Sequence, residues 1–386
     1  MKSFITVPLD FSKIDTSALL HSVDPRNALG MFTATPDSDY ADTLEQATKK
    51  FPFPIIGGTV LANPFETSDI PFMESLDVLA REDLRHAIAL SEPIDGDRVE
   101  EQMRKLHEEC LDGLDDEPKL FLLLAPIFPD LYIDPFLDAL LKLVGDVPVF
   151  GGIMSDDFRS GRSAVFFDGK AYRDRIVLVA LGGDINPVFG MGRRVTVLSE
   201  YAPIVTEAKE NVIIRVDDMP FTGYMKKLGF GPEAIADFPI TVRVRAPEEA
   251  RGGLPNTRAL VAMDEESGTG TLDSAIETGS SIALGFLTRR DILESASECI
   301  DQLLEAMRRE EENGRRFSTV LAVSGLARYY TMFGQGNIEA AQLKNRLPPG
   351  MHRLGFFSFG QFCPFRNADG GLSNGKHGQT LGLCAI

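Results

Sequence analysis

Nowhere in the 386 residues is there a stretch rich in Lys and Arg, and acidic side chains outnumber basic ones by 57 to 39, a net charge of −18. A polyanion would have to bind against that field, which argues against nucleic acid and anionic membrane surfaces as partners. Long apolar runs are missing too. The longest, residues 120–128, is interrupted by Pro126 and falls far short of the ~20 residues that span a bilayer, so no membrane insertion is expected. Residues 1–6 do not open a long apolar core with a small-residue cleavage site, and no signal peptide is expected. The cysteines (Cys110, Cys299, Cys363 and Cys384) show no short paired spacing. They read as reduced thiols of a cytoplasmic protein, not as a disulfide frame.

Familiar catalytic signatures are equally scarce. There is no G-x-S-x-G elbow, no H-E-x-x-H helix and no dinucleotide fingerprint. Gly370 to Lys376 has the spacing of a phosphate loop, but His377 replaces the Ser or Thr that would hold Mg²⁺. Too little chain follows for the helix that would grip phosphates, so the match is taken as chance. His107 and Cys110 share a helix face with no further ligands nearby in sequence, which does not make a metal site. No metal and no cofactor are expected, and the chain reads more as a binding protein than as an enzyme.

What is present is a globular composition: 44% apolar, 25% charged, with 35 Gly and 23 Pro punctuating many short elements. The length suits two or three domains with a substantial core. Residues 1–26 carry few periodic signals and read as an arm. Helices are expected over residues 42–51, over the acidic amphipathic stretch 98–113, and over 134–144, where Pro135 opens the first turn and Gly145 follows the end. Residues 119–125 are continuously apolar and short, the pattern of a strand buried on both faces. Further strands are expected near 147–150, 164–167 and 176–181.

One unit recurs. Phe53-Pro54-Ile55-Ile56-Gly57-Gly58 and Val147-Pro148-Val149-Phe150-Gly151-Gly152 each follow a helix and place a double glycine after an apolar strand. Residues 338–360 look like a looser third copy. Such units predict mixed sheets flanked by helices, with the glycines in corresponding turns of one pseudo-symmetric half.

The second half opens between residues 200 and 220, with strands near 212–216, 240–244 and 260–263. A hairpin is expected from residues 271–273 and 281–287 around Glu277-Thr278-Gly279. A long helix follows, capped by Thr288 with Asp291 three residues on and closed by Asn313-Gly314. The strand 317–323 then leads into Ser324-Gly325-Leu326-Ala327-Arg328. The chain is therefore divided into an arm (1–26), a first domain (27–210) and a second (211–386). Its fold class is α+β or mixed α/β, in two related halves.

The run Gly355-Phe356-Phe357-Ser358-Phe359-Gly360-Gln361-Phe362-Cys363-Pro364, followed by His377-Gly378-Gln379-Thr380, resembles the closing signature of the FIST C-terminal domain. Residues 324–328 resemble that family's short turn containing Arg, residues 336–340 the start of its intervening helix, and residues 279–284 its glycine-then-strand segment. The Gly57-Gly58-Thr59 and Gly151-Gly152 pairs resemble the FIST N-terminal half. The resemblance implies a small-molecule sensory domain, with an amino acid as an expected ligand. It leaves no room for a kinase, cyclase or methyl-accepting segment, so signalling implies a partner in trans. Two departures stand out. Gln361 replaces a frequent Glu, and Ser324 or Gly325 stands where the family has a cysteine.

On this reading the ligand-binding residues are Arg328, Ser324, Gln361, His377 and Gln379, with Gly57, Gly58, Gly151, Gly152 and Gly360 shaping turns. Arg328 is expected to take a ligand carboxylate through its planar fork. His377 is a candidate contact or pH-sensitive donor. Phe356, Phe357 and Phe359 are expected mainly in the core. Two other classes stay open: an adaptor that recognises a protein without any metabolite, and a hydrolase or transferase using Ser324 or Cys363 near His377.

Overall fold

The computed structural model describes residues 24–61, 74–128, 131–156, 161–199, 201–231, 233, 240–246, 256–332, 337–366 and 371–386. Most of the arm 1–26, Gly336 and Gly370 lie outside these residues.

The first half is built from two helix-linked pairs of parallel strands. Strand β1 (Ala28–Ala34), helix α1 (Tyr40–Lys50) and strand β2 (Ile55–Thr59) form the first pair. After β3 (Glu74–Ala80), β4 (Leu84–Leu90) and helix α2 (Val99–Asp112), the second pair comprises β5 (Leu120–Ala125), α3 (Asp134–Val144) and β6 (Val149–Ile153). Strands β7 (Val165–Phe167) and β8 (Lys170–Tyr172) complete a first sheet of order β3-β1-β2-β7-β8. Strand β9 (Val177–Gly183) inserts between β5 and β4 in a second sheet.

Two short strands, β10 (Val188–Gly192) and β11 (Thr196–Val197), lead out of this half. Next come β12 (Val205–Lys209), β13 (Val212–Val216), β14 (Met219–Pro220), α4 (Phe221–Lys227), β15 (Ile240–Arg245), β16 (Asn256–Asp264), β17 (Thr269–Leu272) and β18 (Ser281–Phe286). They form an antiparallel sheet of order β11-β18-β15-β16-β17-β13-β12, with β14 on β13. The boundary between residues 210 and 211 falls in the turn of the β12–β13 hairpin. The expected hairpin over residues 271–287 does not form. Strand β17 pairs with β16 and β13, whereas β18 pairs with β15 and β11.

The chain then repeats its opening theme. Helix α5 (Arg289–Glu312) starts on the expected capping box, with Thr288 and Asp291 each bonding the other's backbone. It is followed by β19 (Thr319–Gly325), α6 (Leu326–Thr331), α7 (Asn337–Arg346) and β20 (His352–Ser358), and β19 and β20 are parallel. Strands β21 (Gln361–Phe362), β22 (Phe365–Arg366), β23 (Leu372–Ser373), β24 (Lys376–His377) and β25 (Leu381–Ala385) close the chain. The third sheet has order β10-β25-β19-β20, while β21 and β24 cross back to extend the second: β24-β21-β6-β5-β9-β4. The two halves are thus interleaved.

All three sheets turn one face to a common core containing Leu29, Ile56, Leu122, Leu124, Phe150, Leu321, Val323 and Phe356. Their other faces are covered by helices: α1 on the first, α2 and α3 on the second, α5 and α7 on the third. Burial on both faces is why β5 is apolar at every position.

The glycine pairs occupy corresponding places, but inside strands β2 and β6 and not in turns behind them. Gly57 faces Phe32 in register and Gly151 faces Leu123, and the third unit matches Gly355 with Ala322. A Cβ would lie 1.7 Å from the Phe32 carbonyl oxygen at Gly57, 2.1 Å from that of Leu123 at Gly151 and 2.1 Å from that of Ala322 at Gly355. The second glycines let neighbouring units approach: Gly58 meets Met154, and Gly152 meets Ser358. Gly360 lies in the bend between β20 and β21. Gly151→Ala is expected to cost about 2–3 kcal/mol through backbone strain and overpacking. Gly314→Ala, at φ 84° with open space around it, should cost only about 1 kcal/mol. Urea denaturation of both variants measures the contrast, and equal losses would contradict the packing argument.

Candidate functional site

The segments singled out in the sequence do meet, but they meet inside the protein. Strand β19 ends at Gly325, whose amide donates to the Thr380 carbonyl and where a Cβ would approach Gln379 Cα to 2.8 Å. The chain turns at once into α6, which points Arg328 inward, with 0% exposure. Its Nε and Nη2 donate to Glu339 Oε1 at 2.9 and 2.6 Å, Nη1 to Ser295 Oγ and the Gln379 carbonyl, and Nη2 to the Ile292 carbonyl. Ser324 Oγ donates to the other Glu339 oxygen at 2.8 Å. The carboxylate expected from a ligand is therefore supplied from within by Glu339, because α7 packs its first turn against the mouth of β19.

Gln361 is just as fully engaged. It donates to Ser358 and accepts from the Thr380 amide at 2.9 Å. It also pairs in register with His377 across β21 and β24 and with Gly152 across β21 and β6. Gln379 sits in a left-handed conformation (φ 57°), its Oε1 bonded by Thr241 and its Nε2 without a partner among the described residues. His377 is 1% exposed; its Nε2 bonds the Cys363 carbonyl at 3.0 Å and its Nδ1 has no partner among the described residues. Burial first, and Arg193 second, pull its pKa down to about 3, so it is a neutral ring at physiological pH and no switch there. The expected ligand residues thus form a packed polar core, each of the five 4% exposed or less.

The nucleophile arrangement fails on the same geometry. Ser324 donates to Glu339 and not to His377. His377 meets the carbonyl of Cys363, while the thiol faces the carbonyls of Gly190 and Pro364. Burial pushes that thiol far above its usual range. On α2, Cys110 is buried and its thiol is pushed up to about 12. Among the described residues no group of three His, Cys, Asp or Glu side chains is placed to hold a metal.

A cavity of about 590 Å³ lies one residue away, on the other side of β24. Its floor is apolar: Ile127, Phe128, Tyr132, Phe136, Ile153 and Phe359 come from the second sheet and its helix, and Leu272 and Val261 from the antiparallel sheet. The bulge between Leu260 and Ala262 shifts β16 against β17 at Val261, where the cavity opens. Phe359, expected mainly in the core, has one face here. The polar end carries Glu210, Asn211, Asp273 and Lys376.

Lys376 holds this end together. Its Nζ donates to Asp134 Oδ1 at 2.7 Å and to the Asp273 carbonyl at 2.8 Å, and the Lys376 and Asp134 side chains are 8% and 12% exposed. Asp134 Oδ2 in turn accepts from the Ala275 amide at 2.7 Å. One ion pair therefore ties α3 and β24, both at the second sheet, to the loop after β17. Burial, together with Asp134 and Asp138, raises the Tyr132 hydroxyl well above its usual range. The pair escaped the sequence reading because Asp134 and Lys376 lie 242 positions apart, and Lys376 stood only in the phosphate-loop spacing that was taken as chance. The only local sign was an acidic residue beside a helix-opening proline.

Comparison with known proteins bears on the whole chain. Residues 28–219 match the family model of the FIST N domain and residues 224–364 that of the FIST C domain. No curated protein matches. Two solved structures of cyanuric acid hydrolase align along 100% of this chain and 98% of theirs. One has 9% identity and a TM-score of 0.34; the other, from A. caulinodans, has 8% identity and a TM-score of 0.38.

Proposed function

The chain belongs to the FIST family, whose domains are sensory, and on that premise we propose that it binds a small metabolite reversibly in the cavity bounded by Phe359, Val261 and Lys376. The carrying observation is the placement of that cavity. It lies where the second sheet, whose strands β4, β5, β6 and β9 fall within the FIST N match, meets the antiparallel sheet, whose strands β15 to β18 fall within the FIST C match. A bound molecule would touch both and would bear on the Lys376–Asp134 tie between them. Its size suits a molecule the size of an amino acid or somewhat larger. The output passes to a protein partner in trans. We place the protein in the cytoplasm, a reading supported by its four free, buried cysteines. Among the described residues no helix is long and apolar enough to cross a membrane.

A thermal-shift screen of amino acids, amines and common metabolites tests this reading. A true ligand at about 100 times its Kd adds roughly 2.7 kcal/mol of apparent stability. Val261 is exposed at the rim, so Val261→Trp should fill the cavity, abolish the shift and leave the unliganded melting temperature within a degree or two. A ligand whose shift survives Val261→Trp binds elsewhere and defeats the assignment.

A further inference from the structure

Resting on that assignment of the cavity, we infer that it reads a protonated amine attached to an apolar body, and that it discriminates against carboxylates. The charges at its polar end are not balanced. Lys376 is the one cation among the lining residues described, and the fold has already matched it with Asp134 at 2.7 Å. Two carboxylates remain. Asp273 spends Oδ1 on the Ala259 amide at 2.9 Å, and no described residue donates to its Oδ2. Glu210 lines the cavity from the β12–β13 turn, exposed, in a left-handed backbone (φ 55°) and with no ion pair among those of the described residues.

Arg258 is not among the lining residues; its Nε is directed to the Ala275 carbonyl and its Nη1 to that of Thr257. Its positive charge acts on Asp273 as that of Lys376 does, so the unopposed charge at this end is that of Glu210. Burial raises the Asp273 carboxyl despite Lys376 and Arg258, a tension that an added cation relieves. The apolar part of the lining includes four aromatic residues, Phe128, Tyr132, Phe136 and Phe359. Ring faces attract an ammonium and cover an apolar body equally well. A ligand carboxylate would meet Asp273 and Glu210 and find only a saturated lysine.

The test uses four probes of one shape on the full chain: 2-phenylethylamine, 2-phenylethanol, 3-phenylpropanoate and L-phenylalanine, measured by calorimetry at pH 7.5. The amine should bind at least tenfold more tightly than the alcohol or the acid, with the amino acid between them. Glu210→Gln should weaken the amine several-fold and leave the alcohol unchanged. Because Glu210 is exposed, that variant should fold as the parent does, and Asp273→Asn provides the second, buried arm. Equal affinity for amine and alcohol, or preference for the acid, overturns the inference. So does no binding by any of the four. The cavity assignment stands or falls separately, on whether hits from the metabolite screen are lost in Val261→Trp.

Discussion

Glu339→Ala should destabilise the protein by about 3–5 kcal/mol, the usual cost of stranding one partner of a buried ion pair. The geometry makes this site severe. Arg328 is 0% exposed and Glu339 3%, and loss of the carboxylate also strips Ser324 Oγ of its acceptor. The guanidinium would keep only Ser295 and two backbone carbonyls, none of them charged. Arg328→Met should be costly for the mirror reason, leaving a buried carboxylate. Replacing both at once, Arg328→Met with Glu339→Leu, should recover most of the loss, since apolar side chains of similar volume often match or improve on a buried pair. Chemical denaturation of the two single variants and the double variant measures this cycle. A single-variant loss below about 1 kcal/mol, the scale of a surface pair, would mean that Arg328 is not locked and remains available to a ligand.

That buried pair shows where the sequence was readable and where it was not. The position of Arg328 just past a strand buried on both faces was legible, because an unbroken apolar run followed by a turn is a local pattern. Its partner was not, since nothing in the spelling of residues 337–346 says which face of α7 packs on β19. Local signals were reliable elsewhere for the same reason. The Thr288–Asp291 box caps α5, and Pro135 and Gly145 flank α3. The glycine pairs announced a repeated unit, but Gly-Gly serves turns and close strand approach alike, and here carbonyls of neighbouring strands required it. Pairing across long sequence distances left no trace at all. The hairpin expected over residues 271–287 was spelled correctly as two strands and a turn, yet each strand found a different neighbour. The return of β21 and β24 to the second sheet, which builds the polar end of the cavity, follows from packing alone.

Acid should unfold the wild-type protein well before it unfolds His377→Gln. His377 keeps its folded-state pKa near 3, against 6.5 for an ordinary histidine, because burial and Arg193 both disfavour the imidazolium. Above pH 6.5 neither the folded nor the unfolded chain holds this proton, so the ring contributes no pH dependence. From 6.5 downward the unfolded chain takes up a proton that the folded one refuses, and stability falls with pH until the folded ring itself titrates. At about 1.4 kcal/mol per pH unit, the loss attributable to His377 should reach roughly 3 kcal/mol at pH 4. Glutamine retains a donor for the Cys363 carbonyl and has nothing to protonate. The aspartates, glutamates and other histidines titrate in both proteins, so the difference between their stability curves isolates this one ring. Urea melts at pH 7, 5.5 and 4 should therefore show the variant gaining steadily on the wild type as the pH drops. Curves that stay parallel would mean that His377 accepts its proton in the folded protein, and hence that Arg193, Arg258 and the buried Nδ1 leave room for a counter-charge.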